Sequence, residues 1–329
     1  MKSIFIAVAS IIVSILTWQN AIAEQTLRVT LQLPIEHHLG QNMLDFKQAV
    51  ERETNGEIQI EIFPSAELYR DRDVSQAVSS GAIEMGIASL AVLGDTVPVA
   101  DIFSVPFLFH SAEHVRRATE PDSPIRTTID NEIMKTGVRV LWWQAFGGAI
   151  ILSKGEPIRR PEDFKGKKVR VFGKFLGELV KVTGGEPVIT SGSEQFNVYK
   201  KGWVEAGMTG FTTIPSRKLY QVMDFVSLIN LVDIEFVVLI NEKVWQELTV
   251  HQRDGMAKAA RRVEKELRDR IQRIEAEAIE SVRDKMTIVE INEEDLDAWR
   301  DATSSIINTY LTNAGTLGIK LVAEARRLE

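Results

Sequence analysis

One amphipathic run near the end of the chain limits its fold more than any other feature. Met256, Ala260, Val263, Leu267, Ile271, Ile274, Ala278 and Val282 recur at spacings of three and four, which places them on one stripe of a helix opposite a densely charged face. Thr249 and Gln252 have the spacing of a capping box at its start. The pattern continues to about Lys285, and at 1.5 Å per residue the helix measures about 50 Å. A helix of that length either braces two lobes or supplies the seam of a coiled-coil dimer.

The rest of the chain alternates strand and helix. Thr26 to Gln32 reads as a strand, Gln41 to Thr54 as a helix with Met43, Phe46 and Val50 on one side, and Ile58 to Phe63 as a second strand. This is a strand–helix–strand unit of the parallel-sheet kind. Helical stretches come next at Arg72 to Ser80 and around Pro121 and Pro124. Further strands lie at Ile83 to Ser89 and Val138 to Gln144, before Gly147-Gly148, a candidate hinge. The second half repeats the logic with strands at Lys168 to Phe172, Pro187 to Ile189 and Trp203 to Met208. Two apolar runs, Phe225 to Leu231 and Glu235 to Asn241, come after them, the second crossing back to the first half. Beyond the long helix lie a β-like run, Thr287 to Ile291, and two helices. The fold class is α/β, and 329 residues suffice for one large domain or two ordinary ones.

A net charge of −7 argues against nucleic acid as a partner. With no cysteine there is no disulfide framework, thiolate metal site or cysteine nucleophile. Residues 1–23 have the form of a cleavable signal peptide: Lys2, an apolar core from Ile4 to Trp18, and an Ala21-Ile22-Ala23 exit. The apolar run is too short for a membrane anchor, so the expected mature chain starts near Glu24 in the periplasm.

Reactive constellations are not found. The five histidines, His37, His38, His110, His114 and His251, show no metal-ligand spacing. There is no phosphate loop and no nucleophile elbow. The expectation is therefore no enzyme, no cofactor and no metal. A different candidate stands in Pro157 to Val171, PIRRPEDFKGKKVRV. There Glu162 and Asp163 cap a loop before Gly166, and Arg170 occupies the strand face opposite its valine neighbours. A guanidinium on such a face can grip a carboxylate through two parallel hydrogen bonds. From residue type alone, a surface charge or a structural ion pair is the more frequent role.

The order of motifs changes those odds. ETNGEIQIEIFPSAEL, GAIEMGIASL, VPFLF, PEDFKGKKVRV, TGGEPV, YKKGWVEAG and VVLINEKVWQEL succeed one another over nearly the whole mature chain. In that order and spacing the sequence resembles the solute-binding receptors of tripartite ATP-independent periplasmic (TRAP) transporters. The resemblance implies a two-lobed venus-flytrap fold of the periplasmic-binding-protein kind, with a long helix bracing both lobes. Lobe one would be 24–147 plus 236–275, and lobe two 148–235 plus 276–329. It implies capture of a small organic acid between the lobes, delivery to a membrane permease, and a monomer. The alternative is a receptor feeding a sensor kinase or another uptake system.

By the same resemblance Arg170 is the carboxylate-gripping arginine. Ala149 stands where many members carry a second arginine, and Thr209 where they carry an asparagine, which points to a monocarboxylate with an apolar or aromatic body. Trp143, Phe172 and Phe211 would suit that body, or pack as ordinary core. Ligands of open α/β sheets lie at the carboxyl ends of strands, which adds Glu36, His37, Ser89, Gln144 and Thr212. Glu235, at a lobe crossing, would bind a ligand hydroxyl or amine, or pair with Arg170.

Overall fold

The computed structural model describes residues 24–329, so the signal-peptide expectation for 1–23 lies outside the described residues. The first unit forms as the sequence predicts. Strand β1 (Gln25–Thr30) and strand β2 (Ile58–Phe63) pair in parallel. Helix α1 (His38–Glu53) connects them, burying Leu39, Met43, Phe46 and Val50 at spacings of four, three and four. Helix α2 (Asp71–Ser79) leads to β3 (Met85–Ser89), which pairs in parallel with β1. Helices α3 (Leu90–Leu93), α4 (Ala112–Thr119) and α5 (Pro124–Met134) come next, with a 3-10 segment, Pro98–Ser104, between the first two.

Strand β4 then runs from Val138 to Ser153 without interruption. The sequence predicts a strand ending at Gln144, but the apolar run Ala149 to Leu152 prolongs it through the glycines. Its first part pairs with β9 (Asp233–Asn241), and Ala149 to Ser153 pairs with β7 (Ala206–Gly210). One strand thus belongs to two sheets. The first has the order β2-β1-β3-β9-β4. The second continues β4-β7-β5-β6, where β5 is Lys168–Val171 and β6 is Glu186–Ile189. On its other edge β4 meets β8 (Phe225–Leu228), which carries β10 (Thr287–Glu290). Helix α6 (Lys174–Val182) joins β5 to β6, α7 (Gln195–Lys200) precedes β7, and α8 (Thr213–Ser216) comes after it. Strand β7 starts later than predicted because the chain turns at Gly202 and leaves Trp203 exposed.

After α9 (Glu242–Glu247) comes the long helix α10, Val250–Val282, of 33 residues. Its capping box is present: Gln252 N–H donates to Thr249 Oγ1, and Thr249 N–H to Gln252 Oε1. The stripe is covered within the chain. Met256, Ala260, Val263 and Leu267 join the core around α1. Ala278 and Val282 join that of the second sheet with Val226 and Ile150. The brace reading therefore holds, and the stripe is not free for a coiled-coil seam.

The chain ends in α11 (Glu293–Thr303) and α12 (Ile306–Arg327). Helix α11 lies on the second lobe, where Trp299 donates to the carbonyl of Arg159 at 2.8 Å and packs edge-on against Phe164. The expected division puts 276–329 in lobe two, but α12 packs back onto the first. Its Ile306, Tyr310, Leu321 and Val322 share a core with Val99, Ile102 and Ile129.

Candidate ligand-binding site

Arg170 sits where the alternation of β5 puts it, opposite the buried Val169 and Val171, and is itself only 2% exposed. Its Nε–H donates to Thr190 Oγ1 at 3.2 Å, Nη2 to the Thr190 carbonyl at 2.9 Å and Nη1 to the Met208 carbonyl at 2.8 Å. No carboxylate lies within ion-pair distance of it among the described residues. A guanidinium has five N–H donors, so one remains on each terminal nitrogen for a further acceptor. Burial pulls its pKa below the ordinary arginine value. The ring of Phe172 lies under the cation at 5.6 Å.

Arg170 opens into a small cavity between the lobes, of about 20 Å³, room for about one water. Leu33, Phe146, Phe172, Ile234 and Phe236 form its apolar wall, and Gln32, Asp71, Ser89, Thr209, Thr213 and Arg217 its polar part. The lobes approach closely here: a Cβ on Gly192 would lie 2.2 Å from Gln32 Oε1. Asp71 of lobe one accepts the hydroxyl of Ser191 from lobe two.

Of the residues expected at the site, Arg170, Ser89, Phe172 and Thr209 line this cavity. His37 and Thr212 meet beside it, joined between the lobes by a 3.0 Å hydrogen bond, and Glu36 lines the same adjoining groove. Burial, helped by His38 and Arg217, holds the His37 imidazole well below its ordinary pKa and so neutral.

Four expected residues lie elsewhere. Trp143 and Gln144 are fully buried because β4 runs on past them, leaving them in mid-strand rather than at a cleft end. Trp143 donates to Asp130 Oδ1 at 2.9 Å, and Gln144 to Asn42 Oδ1 at 2.8 Å. Glu235 pairs with Arg268 of α10, not with Arg170. It and Phe211 line a separate rear cavity of about 380 Å³ with Gly147, Gly148, Asp233 and Glu275.

The sequence reading missed Arg217, Gln32, Asp71 and Thr213. Arg217 donates to the carbonyl and Oε1 of Gln32 at 3.0 and 3.1 Å, across the gap, and to the carbonyl of Gly192. Burial and the nearby charge of Arg170 bring its pKa down to about 9. Ala149 is buried and carries no charge, so the second guanidinium of this cavity comes from the end of α8 instead.

Two carboxyls of the rear cavity tie part of the stability to pH. Glu275 Oε1 accepts the Gly148 N–H at 3.2 Å. Burial raises Glu275 to about 7, and burial with the charges of Glu235 and Glu275 raises Asp233 to about 8. The folded chain keeps protons here that the unfolded chain releases above about pH 4, so the contribution of these two groups falls as pH rises from about 4 to 8 and then levels; burial of Asp101, raised to about 8, and of Asp130, raised to about 6, acts in the same sense, while burial of His38, lowered to about 4, acts in the opposite one below about pH 6.5. Asp233→Asn with Glu275→Gln should make the melting temperature fall less steeply than in the parent over that window. An unchanged profile in the double variant rules the effect out.

Comparison with known proteins agrees with this architecture. Residues 31–313 match the family model DctP, bacterial extracellular solute-binding protein family 7. The chain is 23% identical over 291 residues to the C4-dicarboxylate-binding periplasmic protein DctP of Rhodobacter capsulatus, covering 87% of this chain and 86% of that one. It is 25% identical over 298 residues to the sialic acid-binding periplasmic protein SiaP of Vibrio cholerae, covering 89% and 90%. Among solved structures, a TRAP periplasmic solute-binding protein from Polaromonas sp. JS666 bound to D-erythronate superposes with a TM-score of 0.85 at 26% identity, covering 92% of this chain and 98% of that one. The sugar acid binding protein DctPAm of Advenella mimigardefordensis, in complex with galactonate, superposes at 0.89 with 20% identity, covering 93% and 99%. With 31–313 matched, the chain belongs to the DctP family, the bacterial extracellular solute-binding proteins of family 7, and is a periplasmic receptor that binds solute rather than an enzyme.

Proposed function

We propose that this receptor captures a small carboxylate at Arg170 and hands it to the membrane permease of a TRAP transporter. The observation that carries the reading is a buried guanidinium with two free N–H donors and no carboxylate partner among the described residues, at a cavity lined from both lobes. The relatives support it: dicarboxylates, sialic acid, erythronate and galactonate, named for those proteins, all carry a carboxylate. Contacts from both lobes are complete only when the lobes are together, so a ligand shifts the population toward closure. Its binding requires the lobes to part, because the cavity of about 20 Å³ admits no organic acid as it stands. Lobe one is 24–147 with 236–275, to which α12 adds its packing, and the remainder forms lobe two.

The test is a thermal-shift screen of residues 24–329 against organic acids, neutral sugars and amines. A ligand at 100 times its Kd adds about 2.7 kcal/mol. Carboxylates alone should raise the melting temperature. Hits confined to neutral sugars or amines would overturn the assignment.

A further inference from the structure

Arg217 ties Gln32 to the opposite lobe across the gap, and the further role inferred for it rests on the capture of a carboxylate at Arg170. The charged groups lining the cavity are Arg170, Arg217 and Asp71. Two cations face one anion, so one positive charge stands in excess. Neither arginine has a carboxylate within ion-pair distance among the described residues.

Two polar positions are also open to a partner. Thr213 is 1% exposed, and its Oγ1 has no hydrogen-bond partner, one helical turn before Arg217. Asp71 is 2% exposed; its Oδ1 takes the hydroxyl of Ser191 and the backbone N–H of Arg72, while Oδ2 accepts nothing among the described residues. Buried polar groups are normally paired, so Thr213 Oγ1 marks where a ligand's polar atom belongs, and Asp71 Oδ2 offers a bare acceptor on the same cavity.

We propose that Arg217, Thr213 and Asp71 form a second polar subsite, and that with Arg170 it selects a singly charged carboxylate bearing a hydroxyl group. One carboxylate neutralises the excess charge. The hydroxyl donates to Asp71 Oδ2 and accepts from Thr213 Oγ1 or Arg217. A second carboxylate overshoots the single excess positive charge and repels Asp71. An amino acid's ammonium would satisfy Asp71, but the zwitterion leaves the excess positive charge in place. Phe172 and Phe236 cover the carbon chain.

Isothermal titration with four matched acids decides it: 2-hydroxybutyrate, butyrate, succinate and 2-aminobutyrate. The hydroxy acid should bind at least tenfold tighter than each of the others. Asp71→Asn should bring the hydroxy acid and butyrate within about threefold of each other. Arg217→Met should weaken the hydroxy acid more than tenfold, with Arg217→Lys between it and the parent; urea unfolding of each variant separates a folding defect from a binding one. Succinate binding best, an unchanged affinity in folded Arg217→Met, or an intact hydroxyl preference in Asp71→Asn would overturn the second subsite and leave the Arg170 reading standing. If no acid of the thermal-shift panel binds the parent protein, both fall together.

Discussion

Arg170→Met is expected to weaken carboxylate binding by about 2–5 kcal/mol, because it strips a desolvated anion of its charged partner. That is a loss of about thirtyfold to several thousandfold in Kd. The same change leaves the carbonyls of Met208 and Thr190 without their donors, and a buried acceptor without a partner costs about 1–3 kcal/mol of stability. Titration of a carboxylate hit against the variant, with urea unfolding in parallel, separates the two. Near-parental affinity in a folded variant would return Arg170 to a structural role.

The second large effect lies behind the cleft. Arg268 and Glu235 form an ion pair, with side chains 10% and 1% exposed, and Asp233 and Glu275 line the same cavity. Arg268→Met removes the cation facing Glu235 there. Breaking a buried pair from one side costs about 3–5 kcal/mol, since the remaining charge has lost both water and partner. The double variant Arg268→Met, Glu235→Gln should recover most of that loss. Chemical denaturation is the measurement, and a loss below about 1 kcal/mol in the single variant would show that water reaches Glu235 freely.

Local patterns made much of this fold legible. The spacing of Met43, Phe46 and Val50 predicted α1, the Thr249–Gln252 pair predicted the start of α10, and the valines flanking Arg170 predicted its face. The extent of β4 was less legible, because Gly147 and Gly148 look like a break in sequence while the sheet carries the strand across them. That misreading is also why Trp143 and Gln144 were expected at a cleft and lie in the core. Arg217 escaped for another reason. In a short segment such as TTIPSRKLY, the periodicity covers barely one turn, and a lone arginine beside a lysine reads as solvated surface. Its role depends on Gln32, 185 residues away in sequence, a proximity no local pattern encodes. The last helix shows the same limit: α12 comes after lobe-two elements in the chain, and its partners on lobe one are fixed only by packing.

Strand β4 has a mechanical consequence. Two rigid bodies linked by slack loops swing with almost no restoring force. Here the link is a ladder-bonded ribbon whose pairing with β9 shifts register between Ala145 and Gly147, where Gly147 takes φ +106°, with α10 lying along both bodies. We expect such a link to act as a leaf spring, bending over a few residues and pushing back. On that expectation part of the energy gained on gripping a solute would be stored as flexure and returned when the solute leaves, so a stiffer ribbon would loosen capture and quicken release. Gly147→Ala, which forces a side chain into that left-handed position against Glu275, should raise the dissociation rate in stopped-flow measurements; an unchanged rate would mean that the flexure lies elsewhere.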